Sequence, residues 1–265
     1  MRRMISVLLA GFVLVGLTVG CGRRAETSFT VAGSTAFQPF AEKLADQFMA
    51  QRPDVAITVQ GGGSSLGIQS ARSGTAEIGM ADLVALPPDA AELTGVIVAR
   101  DGIVMVVHPS NPVKDLTAEQ IRAIFNGTIR NWKDVGGQDA PIRVVTRETG
   151  SGTRTSFEQI IGGISLLPEA LVQDSNGTIR ETVANDKASV GYLSHGLVNE
   201  KVHALTVDGA ACEPAAIASG AYKLVRPVFL MTKGAPTGAV KDFMDYMLSA
   251  EGQGIIHQDG LLPAS

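Results

Sequence analysis

The sequence predicts an α/β fold, and three observations carry that prediction. Short runs rich in β-branched residues alternate with stretches of helical periodicity along the chain. At three places a glycine-rich turn with hydroxyl residues separates such a run from the helix after it. With 45% hydrophobic and 18% charged residues, the composition is ordinary for a globular protein.

The first twenty residues stand apart from the fold. Arg2 and Arg3 precede an apolar core from Ile5 to Val19 and small residues before Cys21, the pattern of a secretory signal. That core is too short to span a membrane, and no second apolar run of about 18 residues follows, so the remainder is expected as a soluble body outside the cytoplasm. SFTVAG then reads as a strand, and AFQPFAEKLADQFMAQ as a helix because Phe40, Leu44 and Phe48 recur at helical spacing. VAITVQG is a strand leading into GSSLGIQSARSG, and AEIGMAD is a short strand with Asp82 at its end. GVIVAR and DGIVMVVHP read as two strands. LTAEQIRAIFNG is a helix closed by Gly127, with Thr117 and Gln120 spaced as a capping box. PIRVVTR is a strand, TSFEQIIGG a helix, and SNGTIRETVAND the start of another. ASVGYLS and HALTV are strands, YKLVRPVFLMTKG is a long strand broken by Pro227, and GAVKDFMDYMLSAEGQGIIHQDG reads as one long terminal helix. The tetrapeptide GTIR occurs at Gly127 and Gly177 with unlike flanks, so it marks no repeat.

Charge and cysteine usage narrow the function. The formal net charge is −4, and removing residues 1–20 deletes two arginines and no acid, so the mature chain is more acidic still. A basic field for nucleic acid is absent, and any bound anion has to be held by local geometry. The two cysteines, Cys21 and Cys212, do not suggest a disulfide scaffold. Four scattered histidines, His108, His195, His203 and His257, have no metal-ligand spacing, so neither metal nor cofactor is expected. Trp132 and Cys212 read as structural residues.

The three glycine turns are VAGSTAF (Gly33, Ser34, Thr35), VQGGGSSLG (Gly61 to Gly63, Ser64, Ser65) and TRETGSGTRTSF (Arg147 to Thr153). Each sets free backbone N–H groups and hydroxyls at a helix N-terminus, where the dipole favours negative charge. One such turn is an ordinary N-cap; three, each after a strand, point to an oxyanion cradle. SNGT (Ser175 to Thr178) is a fourth, weaker case. The Walker pattern GxxxxGK[ST] is not matched, which argues against a nucleotide site.

GSTAFQPFAEKLADQF, QGGGSSLGI, AEIGMAD, IRAIFNGTIRNWKDVGG, RETGSGTRTSF, VANDKASVGYLS and VRPVFLMTKG, in this order from Ser28 to Leu262, resemble the PstS-type phosphate-binding proteins of bacterial ABC uptake systems. The resemblance implies a two-lobed, type II periplasmic-binding-protein-like fold. Each lobe is then an open, mostly parallel sheet with flanking helices, and two crossing strands, DGIVMVVHP and VRPVFLMTK, form the hinge. It implies a signal peptide at 1–20, a lipid tether at 21–28, lobe I at 29–106 plus 229–265, and lobe II at 107–228. The residues before Cys21 also resemble a lipobox, with Thr18 where Leu usually stands and Leu17 one step back, so Cys21 is the expected acylation site. The alternative is an ordinary cleaved signal.

Carried over position by position, the resemblance assigns phosphate contacts to Thr35, the amide of Ala36, Ser64, Asp82, Arg147, Ser151, Gly152 and Thr153. Ser34 and Ser65 are spare hydroxyls. Arg147 supplies a charge-assisted contact; its bland alternative is an ion pair with Glu148 or Glu158. Asp82, as an ionised carboxylate, only accepts hydrogen bonds, so it suits an anion that carries a proton, as phosphate does near neutral pH and sulfate does not. Its alternative is a cap before LVALPP. The implied partners are inorganic phosphate and the permease subunits of an ABC transporter. The implied state is a non-catalytic monomer held to the membrane through lipid, in the periplasm or on the outer face of the cytoplasmic membrane. The same fold serving another tetrahedral oxyanion or a sensory role is the runner-up. A serine hydrolase is the rival from another class, since Gly63-Ser64-Ser65-Leu66-Gly67 fits G-x-S-x-G with Ser65 as nucleophile and Asp174 and His195 following in order.

Overall fold

The computed structural model describes residues 26–258 and 260–264. The secretory signal and Cys21 lie outside the described residues. The chain opens with β1 (Thr27–Gly33), α1 (Gln38–Gln51), β2 (Val55–Gln60), α2 (Ser64–Ser73) and β3 (Ile78–Asp82). β1 pairs in parallel with β2 on one side and β3 on the other, so all three strand ends point the same way. β1 already includes Thr27 and Ser28, which the tether was expected to cover.

β4 (Thr94–Val107) corrects the reading of GVIVAR and DGIVMVVHP as two strands: it is one strand of fourteen residues. Its length is explained by two sets of partners in succession. From Thr94 to Gly102 it pairs with β11, and from Ile103 to Val107 with β8. The middle of the chain builds the second lobe from β5 (Asp115–Leu116), α3 (Ala118–Phe125), β6 (Arg143–Arg147), α4 (Gly152–Ile161) and β7 (Leu171–Gln173). α5 (Asn176–Ala184), β8 (Ser189–Ser194), β9 (His203–Ala204), β10 (Thr206–Val207) and α6 (Pro214–Ala218) complete it. The short β7 was not anticipated; it pairs in parallel with β6. α3 starts as expected, with the Thr117 hydroxyl accepting from the Gln120 amide and the Gln120 side chain accepting from the Thr117 amide.

β11 (Val225–Thr232) returns to the first lobe. Pro227 does not break it, because β3 ends opposite Val228 and the strand bulges just beyond, between Val228 and Phe229. The terminal helix is two helices, α7 (Gly238–Leu248) and α8 (Ala250–Gln258), followed by β12 (Leu262–Pro263). Ser249 makes the break: its backbone is extended, and its hydroxyl accepts from the Gly252 amide as a fresh N-cap.

One sheet runs through both lobes in the order β2-β1-β3-β11-β4-β8-β6-β7, with β9 and β12 also paired to β4; β5 and β10 form a separate two-stranded sheet. β4 and β11 are antiparallel to each other and to their outer neighbours, while the flanks of each lobe are parallel. Each lobe has its own core. The first packs Phe29, Phe40, Leu44 and Phe48 against Phe243 and Met247, and the Phe48 and Phe243 rings sit 5.3 Å apart. Phe125, Trp132, Phe157 and Tyr192 fill the second, where the Phe157 and Tyr192 rings stack at 4.1 Å. Burying each such ring contributes about 1.5–3 kcal/mol.

Candidate anion site between the lobes

The parallel strands β1 and β3 end beside the turn that opens α2, and β6 ends beside the turn that opens α4. In open α/β sheets this is where ligands sit. Asp82, the last residue of β3, is the centre of the arrangement and is 2% exposed. The Ser64 hydroxyl donates to its Oδ1 at 2.8 Å and accepts from its amide at 3.0 Å. From the other lobe, Thr153 donates to Oδ2 at 3.2 Å, and the Ser156 hydroxyl donates to the Asp82 carbonyl at 3.3 Å. Arg226 of β11 reaches Oδ2 with Nη2 at 2.7 Å.

The turns around this carboxylate divide their labour. In the first, Ser34 is an internal cap, because its hydroxyl accepts from the amides of Ala36 and Phe37, both at 3.1 Å. The Ala36 amide expected to face an anion therefore shares its hydrogen with Ser34. Thr35 is half-buried, and its hydroxyl accepts from Nδ2 of Asn176 across the cleft at 3.2 Å. Ser64 is buried in the second turn, whereas Ser65 beside it is exposed. The Ser65 amide donates to the Gly150 carbonyl of the facing lobe at 3.1 Å. In the third turn Ser151 caps α4 by accepting from the Arg154 amide at 3.3 Å, and Gly152 and Thr153 open the helix. All eight expected contact residues thus lie on the strand ends and turns that face one another here.

Arg147 makes the expected ion pair with Glu148, but from a buried position that leaves one N–H free. It is 1% exposed, not a surface residue, and it does pair with Glu148: Nε and Nη2 meet the two carboxylate oxygens at 2.8 Å each. Nη2 also donates to the Asp174 carbonyl at 3.2 Å, while Nη1 is buried without a protein partner. Glu158 pairs with Arg154 instead. The lobe core fixes the base of this side chain, since the Tyr192 hydroxyl bonds Thr146 at 2.8 Å and accepts from the Arg147 amide at 3.4 Å. Burial pushes the Tyr192 phenol up to about 12, so it remains an uncharged hydrogen-bonding post.

Sequence reasoning missed four participants. Asp101 and Arg226 face each other across β4 and β11, and Arg226 Nη2 lies 2.8 Å from Asp101 Oδ2. The Ser194 hydroxyl donates to Asp101 Oδ1 at 2.8 Å. Asn176 accepts from the Ser194 amide at 3.0 Å while holding Thr35, which makes the weak SNGT turn a cross-lobe latch. A usable signal was present: Asp101 and Arg226 are charges inside otherwise apolar strand runs, and buried charges are rarely unpaired. Burial pushes the Asp101 carboxyl up, against the opposing pull of Arg226 and Ser194.

The hydrolase constellation does not assemble among the described residues. No hydrogen bond joins Ser65, Asp174 and His195; Asp174 accepts from the Thr178 hydroxyl, and His195 Nδ1 lies 3.2 Å from the Gly260 carbonyl. Trp132 is deep in the second core with Nε1 donating to the Ala188 carbonyl. Among the described residues no cluster of three or more His, Cys, Asp and Glu is arranged for a metal ion, and no helix is long and apolar enough to cross a membrane.

Two guanidiniums, Arg147 and Arg226, are set against three carboxylates, Glu148, Asp82 and Asp101. Attraction for an anion then comes from hydroxyls, amides, helix N-termini and the unpartnered Nη1 of Arg147, with Asp82 as an acceptor in their midst. Two α/β lobes joined by crossing strands, with such a site in the cleft between them, define a two-lobed solute-binding protein. Comparison with known proteins agrees: the PBP superfamily domain matches residues 22–251. The phosphate-binding protein PstS of Bacillus subtilis is 31% identical over 100% of this chain and 94% of its own length. A crystal structure of a putative phosphate ABC transporter substrate-binding protein with bound phosphate from Clostridium perfringens superimposes with a TM-score of 0.86 at 40% identity, covering 89% of this chain and 99% of that one. An ABC-type phosphate transport receptor from Vibrio cholerae gives 0.74 at 35% identity, covering 88% and 99%. The chain belongs to the PstS-type phosphate-binding proteins.

Proposed function

We propose that this chain captures inorganic phosphate between its lobes and delivers it to an ABC permease. The observation that carries this reading is the setting of Asp82, an acceptor held by hydroxyl donors from both lobes and by Arg226, at the strand ends where the buried Arg147, with its unpartnered Nη1, closes β6. A tetrahedral oxyanion satisfies many donors at once, and one that keeps a proton also satisfies the acceptor. In this reading Thr35 and Ser151 donate through hydroxyls, Ala36 and Gly152 through amides, and Arg147 through its free N–H, while Ser64 and Thr153, whose hydroxyl protons rest on Asp82 in this structure, turn them to the anion as it binds. Ser34 and Ser65 serve the turns. Residues 29–106 with 229–265 form one lobe and 107–228 the other, and the anion holds them together. The chain is not an enzyme; it works as a monomer outside the cytoplasm, tethered through an acylated Cys21. The bound phosphate of the Clostridium perfringens relative supports the choice of ligand.

Calorimetric titration of the dialysed protein with phosphate, sulfate and molybdate is the decisive experiment. Phosphate alone should bind tightly at neutral pH. Equal binding of all three would leave only a general oxyanion receptor. Mass spectrometry of the membrane-extracted chain tests the lipid on Cys21.

A further inference from the structure

Arg226 is a buried charged group beside the site that none of the expected anion contacts includes. It has no exposed surface. Arginine–carboxylate pairs are frequently bidentate, with two parallel bonds. Arg147 does this with Glu148. Arg226 does not: its single nitrogen Nη2 is divided between Oδ2 of Asp82 at 2.7 Å and Oδ2 of Asp101 at 2.8 Å. Its Nε and Nη1 are buried with no protein partner, a costly arrangement for a structural ion pair. The two acids come from different strands, β3 and β4, and Arg226 stands diagonal to Asp82 because Asp82 is in register with Val228, two residues on.

One cation thus stands between two buried carboxylates. Without it they would confront each other in a medium of low dielectric, where one of two like charges is driven to bind a proton. A protonated carboxyl can donate as well as accept, and a carboxylate can only accept. The difference decides which oxyanion fits, since a protonated acid at this position would donate to an anion that has no proton of its own. Tyr222 and Cys212 are the other titratable groups near Asp101, and burial pushes both upward, so both stay neutral and Arg226 is the cation that the two acids share.

We propose that Arg226 is the specificity-determining positioning residue of this site: by pairing with Asp82 it keeps that carboxylate a pure acceptor, so that the cleft admits a protonated oxyanion and rejects a proton-free one. The inference rests on the reading of the chain as a phosphate receptor and extends it to a residue outside the ligand contacts.

The test is the ratio of sulfate to phosphate dissociation constants, measured by calorimetry on the full mature chain. Arg226→Met should lower that ratio by at least about tenfold, partly by admitting sulfate. Arg226→Lys keeps one cation between the acids and should restore the ratio to within about threefold of the unmodified protein. If Arg226→Met folds and weakens both anions equally, the residue is structural and the proposal is overturned. Should that variant not fold, Arg226→Gln, which removes the charge, keeps a polar side chain and leaves the two acids facing each other, takes its place, and an unchanged ratio in it overturns the proposal equally. An unmodified protein that fails to bind phosphate would instead defeat the underlying reading, and the proposal with it.

Discussion

Gly152 lies so close to Ser64 that a methyl group on it would overlap the Ser64 hydroxyl and the Asp82 carbonyl oxygen. The two residues belong to α4 and α2, helices of opposite lobes. Gly152 is not in the left-handed region, so space is what demands glycine here. Gly152→Ala should therefore hold the lobes apart while each folds normally. Over-packing of this kind costs about 1–3 kcal/mol, or roughly a five- to hundredfold loss of phosphate affinity. Calorimetry reads the affinity, and small-angle scattering should show a larger radius with phosphate present; unaltered values of both would mean that the lobes do not meet at this point.

Arg147→Ala should remove nearly all phosphate binding. It deletes the free Nη1 and leaves Glu148 without its bidentate partner beside the anion. Losing the charged hydrogen-bond partner of an anion in a desolvated cleft costs about 2–5 kcal/mol. The melting temperature should fall modestly, because Tyr192 anchors the strand end through Thr146 and the Arg147 backbone. Binding within threefold of the unmodified protein would place the anion elsewhere.

Asp82→Asn is expected to admit sulfate. The amide is isosteric and adds N–H donors where the acid only accepted. In the unmodified protein, sulfate leaves acceptor facing acceptor, at a cost of about 1–3 kcal/mol or more. Arsenate, which also carries a proton near neutral pH, should compete with phosphate. Competition titrations that gave the same phosphate-to-sulfate ratio before and after substitution would remove Asp82 from the selectivity.

Asn176→Ala tests the latch. It breaks the bond to Thr35 across the cleft and leaves the Ser194 amide without its acceptor. A loss of about 0.5–1.5 kcal/mol per bond corresponds to a roughly two- to tenfold weakening. Stopped-flow measurements should show it in the release rate, as expected of a contact formed only once the lobes meet. A change confined to the association rate would argue against that role.

Cys212 should be inert in the folded protein. It is 7% exposed, and burial pushes its thiol from the ordinary 9.0 up to about 12. Between those values the unfolded chain releases the proton and the folded chain keeps it, so this group lowers stability as pH rises through that window. A Cys21→Ser variant should show almost no reaction with a thiol reagent at pH 8 until denaturant is added. Fast labelling of the native protein would show that the lobe opens around this residue.

The α/β class, the order of most elements and the three hydroxyl-rich turns were legible in the sequence, because each rests on neighbours within a few positions. A cap, a helical stripe or an alternating strand is written by residues two to four apart, as with Thr117 and Gln120. Ser34, Ser64 and Ser65 look alike in that local grammar, yet the first caps its own turn, the second grips Asp82 and the third is exposed. Which way each hydroxyl points is set by elements that arrive later in the chain. The same holds for the unbroken β4, whose two halves are paired by β11 and β8, and for the split of the terminal helix at Ser249. It holds most of all for Asp82, Asp101 and Arg226, and for Asn176 and Thr35, partners separated by more than a hundred residues. Burial of a charge is tolerable only when a distant segment brings its counter-charge, and that pairing is a property of the packed lobes, not of any stretch of sequence.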